Sequence, residues 1–244
     1  MRICLAYLVV VDISGYTKFI TERSLALEHA EQIVTDLLDS VLDQSRHPLI
    51  LNKLEGDAAL MYAEIDSADA QAGREMLAQV RSFFPVFRQR VVALSAQRSN
   101  CSCDACSNIT ALGLKAFVHT GEILLKKVRQ FDELAGEPVI LLHRLMKNGV
   151  PSREYVLLTE ATAEHAGLDR AGLVGHVEDV EGMGRHRVWV VDASALPEAK
   201  AAGDGGHGRS EQAPRTDTPR KLPQEDETVG LFGRISGWWK SRRN

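Results

Sequence analysis

The chain has 244 residues, 44% of them hydrophobic and 25% charged, with a net charge of −4. A length of this order supports one good core, and the slightly acidic balance excludes a general electrostatic attraction to nucleic acid. Four cysteines, three of them within residues 101–106, exclude the disulfide scaffold of a small secreted domain and point to a reducing cytoplasm.

Residues 3–11 form an apolar run that Asp12 ends. It is too short to span a membrane and lacks a small-residue cleavage site, so it is predicted to be a buried strand. With no receptor segment expected before it, regulatory input would come through the tail, the cysteines or another chain. Residues 25–42 place Leu27, Ala30, Ile33, Val34, Leu37, Leu38, Val41 and Leu42 at helical spacing. The runs 49–52 and 58–63 flank a Glu-Gly-Asp turn as a hairpin, and a second amphipathic helix is predicted over 67–96. A further hairpin is expected from 109–118 and 122–128, then a helix over 138–146 and strands at 155–158 and 187–191. Interleaved helices and strands predict an α/β sandwich. Residues 196–228 are rich in Ala, Gly, Pro and charge with almost no large apolar residue, the composition of a disordered linker. In 229–244, Leu231, Phe232, Ile235, Trp238 and Trp239 share one helical face and Arg234, Lys240, Arg242 and Arg243 supply charge, which predicts an amphipathic basic helix.

Two carboxylate motifs carry the chemistry. Residues 12–17 read D-I-S-G-Y-T and residues 53–57 read K-L-E-G-D, so Asp12 and Asp57 each fall where an extended run meets a glycine turn, at Gly15 and Gly56. Either motif alone also reads as a turn cap. Together on neighbouring strands they supply the oxygen ligands that magnesium or manganese prefers. The segment C-S-C-D-A-C places Cys101, Cys103 and Cys106 as three corners of a tetrahedral zinc site, with Cys4, His119 or an outside ligand as the fourth. A redox role or three reduced loop thiols fit the same spacing. His119 and His143 read as structural histidines.

These two motifs, with His119-Thr120-Gly121-Glu122, the run 136–145 and the L-L-T-E-A-T inside 152–166, resemble in their order the motifs of the class III nucleotidyl cyclase catalytic domain. The resemblance covers about residues 3–192 and is to a divergent bacterial branch. It implies a ferredoxin-like α+β sandwich over residues 1–195, with a central, mainly antiparallel sheet and helices on its faces. It implies Mg²⁺ or Mn²⁺ held by Asp12, Asp57 and the Ile13 carbonyl, and a purine read by Lys53, which favours ATP over GTP. Glu133 stands where the family has the aspartate partner of that lysine. Arg144 would stabilise the transition state of a phosphorus–oxygen lyase. The family pairs head to tail, which implies a homodimer with the metal aspartates from one subunit and Lys53, Glu133 and Arg144 from the other.

Two positions depart from the pattern. The family's asparagine, four residues before the arginine, is Ile140 here. The phosphate-gripping lysine of its final hairpin is Glu181, unless Arg185 or Arg187 takes over. Loss of one pre-organised donor typically costs about 10²- to 10³-fold in rate. The expectation is a signalling domain that binds magnesium–nucleoside triphosphate with weak or absent conversion of ATP to cyclic AMP. The alternative is a non-catalytic dimerisation module tethered by its C-terminal helix to an anionic inner membrane face or to a protein partner. A membrane role predicts that the full chain co-sediments with anionic liposomes, less so as salt is raised. Deleting residues 229–244 should abolish that binding, and unchanged binding would reject it.

Overall fold

The computed structural model of the protein describes residues 1–21, 27–65, 70–171 and 173–198. The C-terminal helix expected at 229–244, and the expected linker beyond residue 198, lie outside the described residues. The strand expected at residues 3–11 forms as β1 (Arg2–Ser14), buried on both sides from Ala6 to Val11. An unbroken apolar run is what a strand covered on both faces requires. In chain order the other elements are α1 (Tyr16–Thr21), α2 (Leu27–Leu42), β2 (Ile50–Glu55), β3 (Ala58–Glu64), α3 (Ala70–Gln97) and α4 (Asp104–Ser107). There follow β4 (Gly113–Val128), β5 (Phe131–Ala135), α5 (Glu137–Leu145), β6 (Tyr155–Thr159), α6 (Glu160–His165), β7 (Val174–Val180) and β8 (Gly184–Val191).

The strands make one sheet in the order β2-β3-β1-β4-β6-β8-β7, with β5 pairing the outer part of β4. Every pairing is antiparallel except β4 with β6. Alternation along the strands then divides the core in two. Tyr7, Val9, Val11, Ala59, Met61, Ala116 and Val118 face α2 and α3, while Ala6, Leu8, Val10, Leu60, Phe117 and Leu157 face α5. Helices therefore cover both faces of a mainly antiparallel sheet, the expected α/β sandwich.

Three expectations are corrected. The hairpin expected from 109–118 and 122–128 is instead one strand, β4, and its turn falls at residues 129–130 before β5. Gly121 was the misleading signal. Its role is close approach rather than turning, because a Cβ there would sit 2.6 Å from Cγ of Pro138 in the first turn of α5. Second, β1 runs on to Ser14, so Asp12 lies inside the strand rather than at its end. Third, β7 was not foreseen from its own residues, V-G-H-V-E-D-V, because an edge strand exposed along most of its length carries no buried alternation.

Gly121 holds α5 against β4, so Gly121→Ala should lower stability by about 1–3 kcal/mol through overpacking. Urea unfolding measures this, and an unchanged midpoint would show that α5 can shift without cost.

Candidate functional site

Asp12 is placed by cross-strand register. It lies opposite Ala58 of β3 on one side and Lys115 of β4 on the other, and Ala58 in turn lies opposite Glu55 of β2. Directly opposed residues share a face. Glu55, Asp12 and Lys115 therefore stand in one row on the α5 side of the sheet, with Tyr155 of β6 next along. The Lys115 ammonium sits 5.6 Å from the centre of the Tyr155 ring.

Asp57 arrives from the β2–β3 turn, where Gly56 takes φ +70°, a conformation that only glycine adopts cheaply. The Ile13 N–H donates to the Asp57 carbonyl oxygen at 3.1 Å, which ties that turn to the end of β1. Both aspartates are half-buried. Burial pushes the Asp57 carboxyl up to about 6, and the neighbouring Asp12 charge adds to it. Burial also raises Asp12, opposed by the Lys115 charge. Two neighbouring carboxylates that are both raised by burial, one of them also by the charge of the other, lack sufficient positive charge between them. A hard divalent cation supplies that charge, so the donor set fits magnesium or manganese. Glu31 of α2 adds to the negative field on Asp57, and the Tyr16 hydroxyl, which donates to Glu31 at 3.1 Å, closes that side.

The second group of expected residues also comes together. Lys53 Nζ lies 3.3 Å from Glu133 Oε2, joining β2 to β5, and 3.9 Å from Glu55 Oε1. Beside it the Asn52 side-chain amide donates to the Asp132 carbonyl at 2.9 Å. His143 of α5 contacts the Val139 carbonyl through Nδ1 at 2.7 Å and the Glu55 carboxylate through Nε2 at 2.9 Å. Both partners are acceptors, so both ring nitrogens carry hydrogen and the ring is an imidazolium. Accordingly His143 is raised and Glu55 lowered, each chiefly by their mutual hydrogen bond. Arg144 and Ile140 are exposed on one face of α5. The Arg144 guanidinium reaches the β7–β8 turn, 3.3 Å from where a Cβ on Gly182 would lie, beside the exposed Glu181. His119 is buried, bonded to Thr159 Oγ1 at 2.8 Å and lowered to about 4 by desolvation, as befits a structural histidine.

The three cysteines gather as their spacing suggests, and a fourth group from outside the segment joins them. His29 of α2 joins Cys101, Cys103 and Cys106, with all four candidate ligand atoms within 4.8 Å of one another. Of the fourth ligands considered, Cys4 lies in β1 and His119 is engaged by Thr159, so neither takes that place. Nothing local in the sequence marks His29. Glu55, Lys115 and Glu31 were likewise missed, because only strand register and helix docking bring them to the carboxylates.

A model of the family described as "Protein of unknown function (DUF2652)" matches residues 34–155. The "Uncharacterized protein Rv2561/Rv2562" of Mycobacterium tuberculosis (strain ATCC 25618 / H37Rv) is 32% identical over 169 residues, which cover 68% of this chain and 77% of that protein. Among solved structures, the guanylyl cyclase Cya2 superposes with a TM-score of 0.57 at 13% identity, covering 83% of this chain and 96% of that one. The adenylyl cyclase CyaB from P. aeruginosa gives 0.51 at 14%, covering 78% and 95%. At such identities the likeness is one of fold.

The raised Asp57 carboxyl sets a pH dependence. An unfolded chain releases this proton near the ordinary value of 3.8, whereas the folded chain holds it to about 6. Between those values the folded state binds more protons, so stability falls as pH rises through the window, and the full cost is present above it. Without divalent ions, Asp57→Asn should therefore melt above the wild type at about pH 7.5, and the gap should close near pH 4. A gap of equal size at both values would reject the assignment.

Proposed function

The chain belongs to the DUF2652 family of proteins of unknown function, and from that premise we propose that it is a cyclase-homology domain that binds a magnesium– or manganese–nucleoside triphosphate. The observation that carries this reading is the pair of half-buried carboxylates, Asp12 and Asp57, both pushed above the ordinary carboxyl range by burial, with the Asp12 charge raising Asp57 further. Asp12, Asp57 and the Ile13 carbonyl would hold the ion. When bound, such an ion neutralises phosphate charge and lowers the pKa of an oxygen nucleophile. Lys53, oriented by Glu133, offers an ammonium donor to an adenine ring, which favours ATP. Arg144, at the β7–β8 turn, offers a fixed positive charge to the phosphates.

We assign the complete site to a homodimer, with the carboxylates of one subunit facing Lys53, Glu133 and Arg144 of the other. Apolar side chains left exposed along β2, at Ile50, Leu51 and Leu54, and on the β4–β5 hairpin, at Val128 and Phe131, support a surface that a second copy covers. Conversion of ATP to cyclic AMP is weak or absent in this reading, because Ile140 offers no donor beside Arg144 and Glu181 brings negative charge to the phosphates. Those same two residues favour a second reading, a non-catalytic dimerisation module on the cyclase scaffold.

Titration calorimetry of the full chain with ATP separates the two. Binding should require Mg²⁺ or Mn²⁺ and weaken by at least about tenfold, roughly 1.4 kcal/mol, in Asp57→Ala. Metal-independent binding of equal strength would overturn the metal–nucleotide site. In a cyclic-nucleotide assay, Ile140→Asn should raise turnover by up to about 10²-fold with affinity nearly unchanged. A wild type that already turns over at ordinary cyclase rates would overturn the assignment of weak catalysis.

A further inference from the structure

We propose that His29, Cys101, Cys103 and Cys106 form a structural zinc site closed by four protein ligands. His29 Nδ1 lies 3.4 Å from the Cys103 sulfur and 3.6 Å from those of Cys101 and Cys106. A single ring nitrogen offers either one hydrogen or one lone pair, so three near-equal contacts are not three hydrogen bonds. A shared centre produces them. Zinc bonds of about 2.0–2.1 Å to nitrogen and about 2.3 Å to sulfur, set tetrahedrally, leave the nitrogen about 3.5–3.6 Å from each sulfur.

The chemistry of the donors selects the metal. Three thiolates and an imidazole are soft and borderline ligands, suited to zinc and poor for magnesium or manganese. All four cysteines of the chain are free thiols. Cys103 caps α4, its sulfur accepting the Cys106 N–H at 3.4 Å, a bond that supports charge on that sulfur. Zinc with three thiolates carries one net negative charge, and Arg98, which donates to Gln32 of α2 at 3.2 Å, brings a cation to the same corner. Four protein ligands leave no open coordination position, which makes the site structural rather than catalytic.

Its mechanical effect follows from where the ligands come from. His29 stands in the first turn of α2 and Cys101 just beyond α3, 72 positions away. A metal shared between them fixes the start of α2, the same turn that presents Glu31 to Tyr16 and Asp57. The zinc site stands on its own geometry and does not depend on nucleotide binding.

The test uses the full chain, expressed in zinc-supplemented medium and purified under reducing conditions without chelator. Elemental analysis should find about one zinc per chain. His29→Ala and Cys103→Ser should lose it, and His29→Cys should retain it. Cobalt(II) exchanged into the wild type should show tetrahedral d–d bands with thiolate charge transfer, and three thiols should become reactive only when a strong chelator removes the metal. These two wild-type readouts hold even if a variant fails to fold. Absence of stoichiometric metal with every thiol freely reactive would overturn the site. So would an iron–sulfur spectrum in place of zinc, or full zinc retention in His29→Ala.

Discussion

From Arg2 to Ser14 every residue of β1 has a partner in β4, with no bulge along the whole length. That ladder fixes more than two strands. Because side chains alternate with a period of two, a shift of one residue would send Tyr7, Val9 and Val11 to the α5 side and Leu8 and Val10 to the α2–α3 side. Two apolar cores of different shape depend on the same register, so it is strongly specified. Asp12 inherits its place from this arrangement. It is a polar residue at the end of a row of buried ones, held on the α5 face by packing several residues away.

The electrostatics of the molecule are uneven in a way that separates structure from function. Glu55 is answered by His143, Glu64 by Arg2 and Asp36 by Arg90. Such pairs contribute little when exposed, but they leave no charge stranded. Asp12 and Asp57 differ, since burial raises both, the Asp12 charge raises Asp57 further, and Lys115 answers only in part. A fold selected for stability alone has no reason to set two half-buried carboxylates side by side, one in a strand and one in the neighbouring turn. Destabilised groups of this kind collect where a ligand completes them. The cysteine cluster belongs to the same class of unfinished arrangement, with soft donors in place of hard ones.

Long, strongly patterned elements were legible in the sequence. The buried strand β1, the amphipathic helix α2 and the β2–β3 hairpin follow from apolar period and turn chemistry, as do Asp12 and Asp57 as candidates. What was not legible has physical causes. Gly121 falls between the two runs that predict a hairpin, and since glycine serves both turns and close packing, only the docked α5 distinguishes them. The fourth member of the cysteine cluster lies on another helix. The row of Glu55, Asp12 and Lys115 exists only once three strands are in register, and no local pattern encodes it.

The register of β2 against β3 slips between Leu51 and Lys53, so that Leu51 faces Met61 and Lys53 faces Leu60. Asn52 is the extra residue, and its side chain is spent on β5. If Asn52 were instead paired in line with Leu60, continuing the register of Leu51 and Met61, plain alternation would set Lys53 opposite Ala59, on the α2–α3 side of the sheet. Both Lys53 and Glu55 would then point away from Glu133, His143 and Asp12. The face on which this protein displays its charge is thus decided by whether one position of an edge strand bulges or pairs, not by the identity of the charged residues. A relative lacking that position would keep Lys53 and Glu55 on the same face in a regular ladder, whereas one that keeps it but pairs it in line would turn both to the opposite side. The bulge works here as a two-position selector, and column-by-column comparison of residues is blind to it.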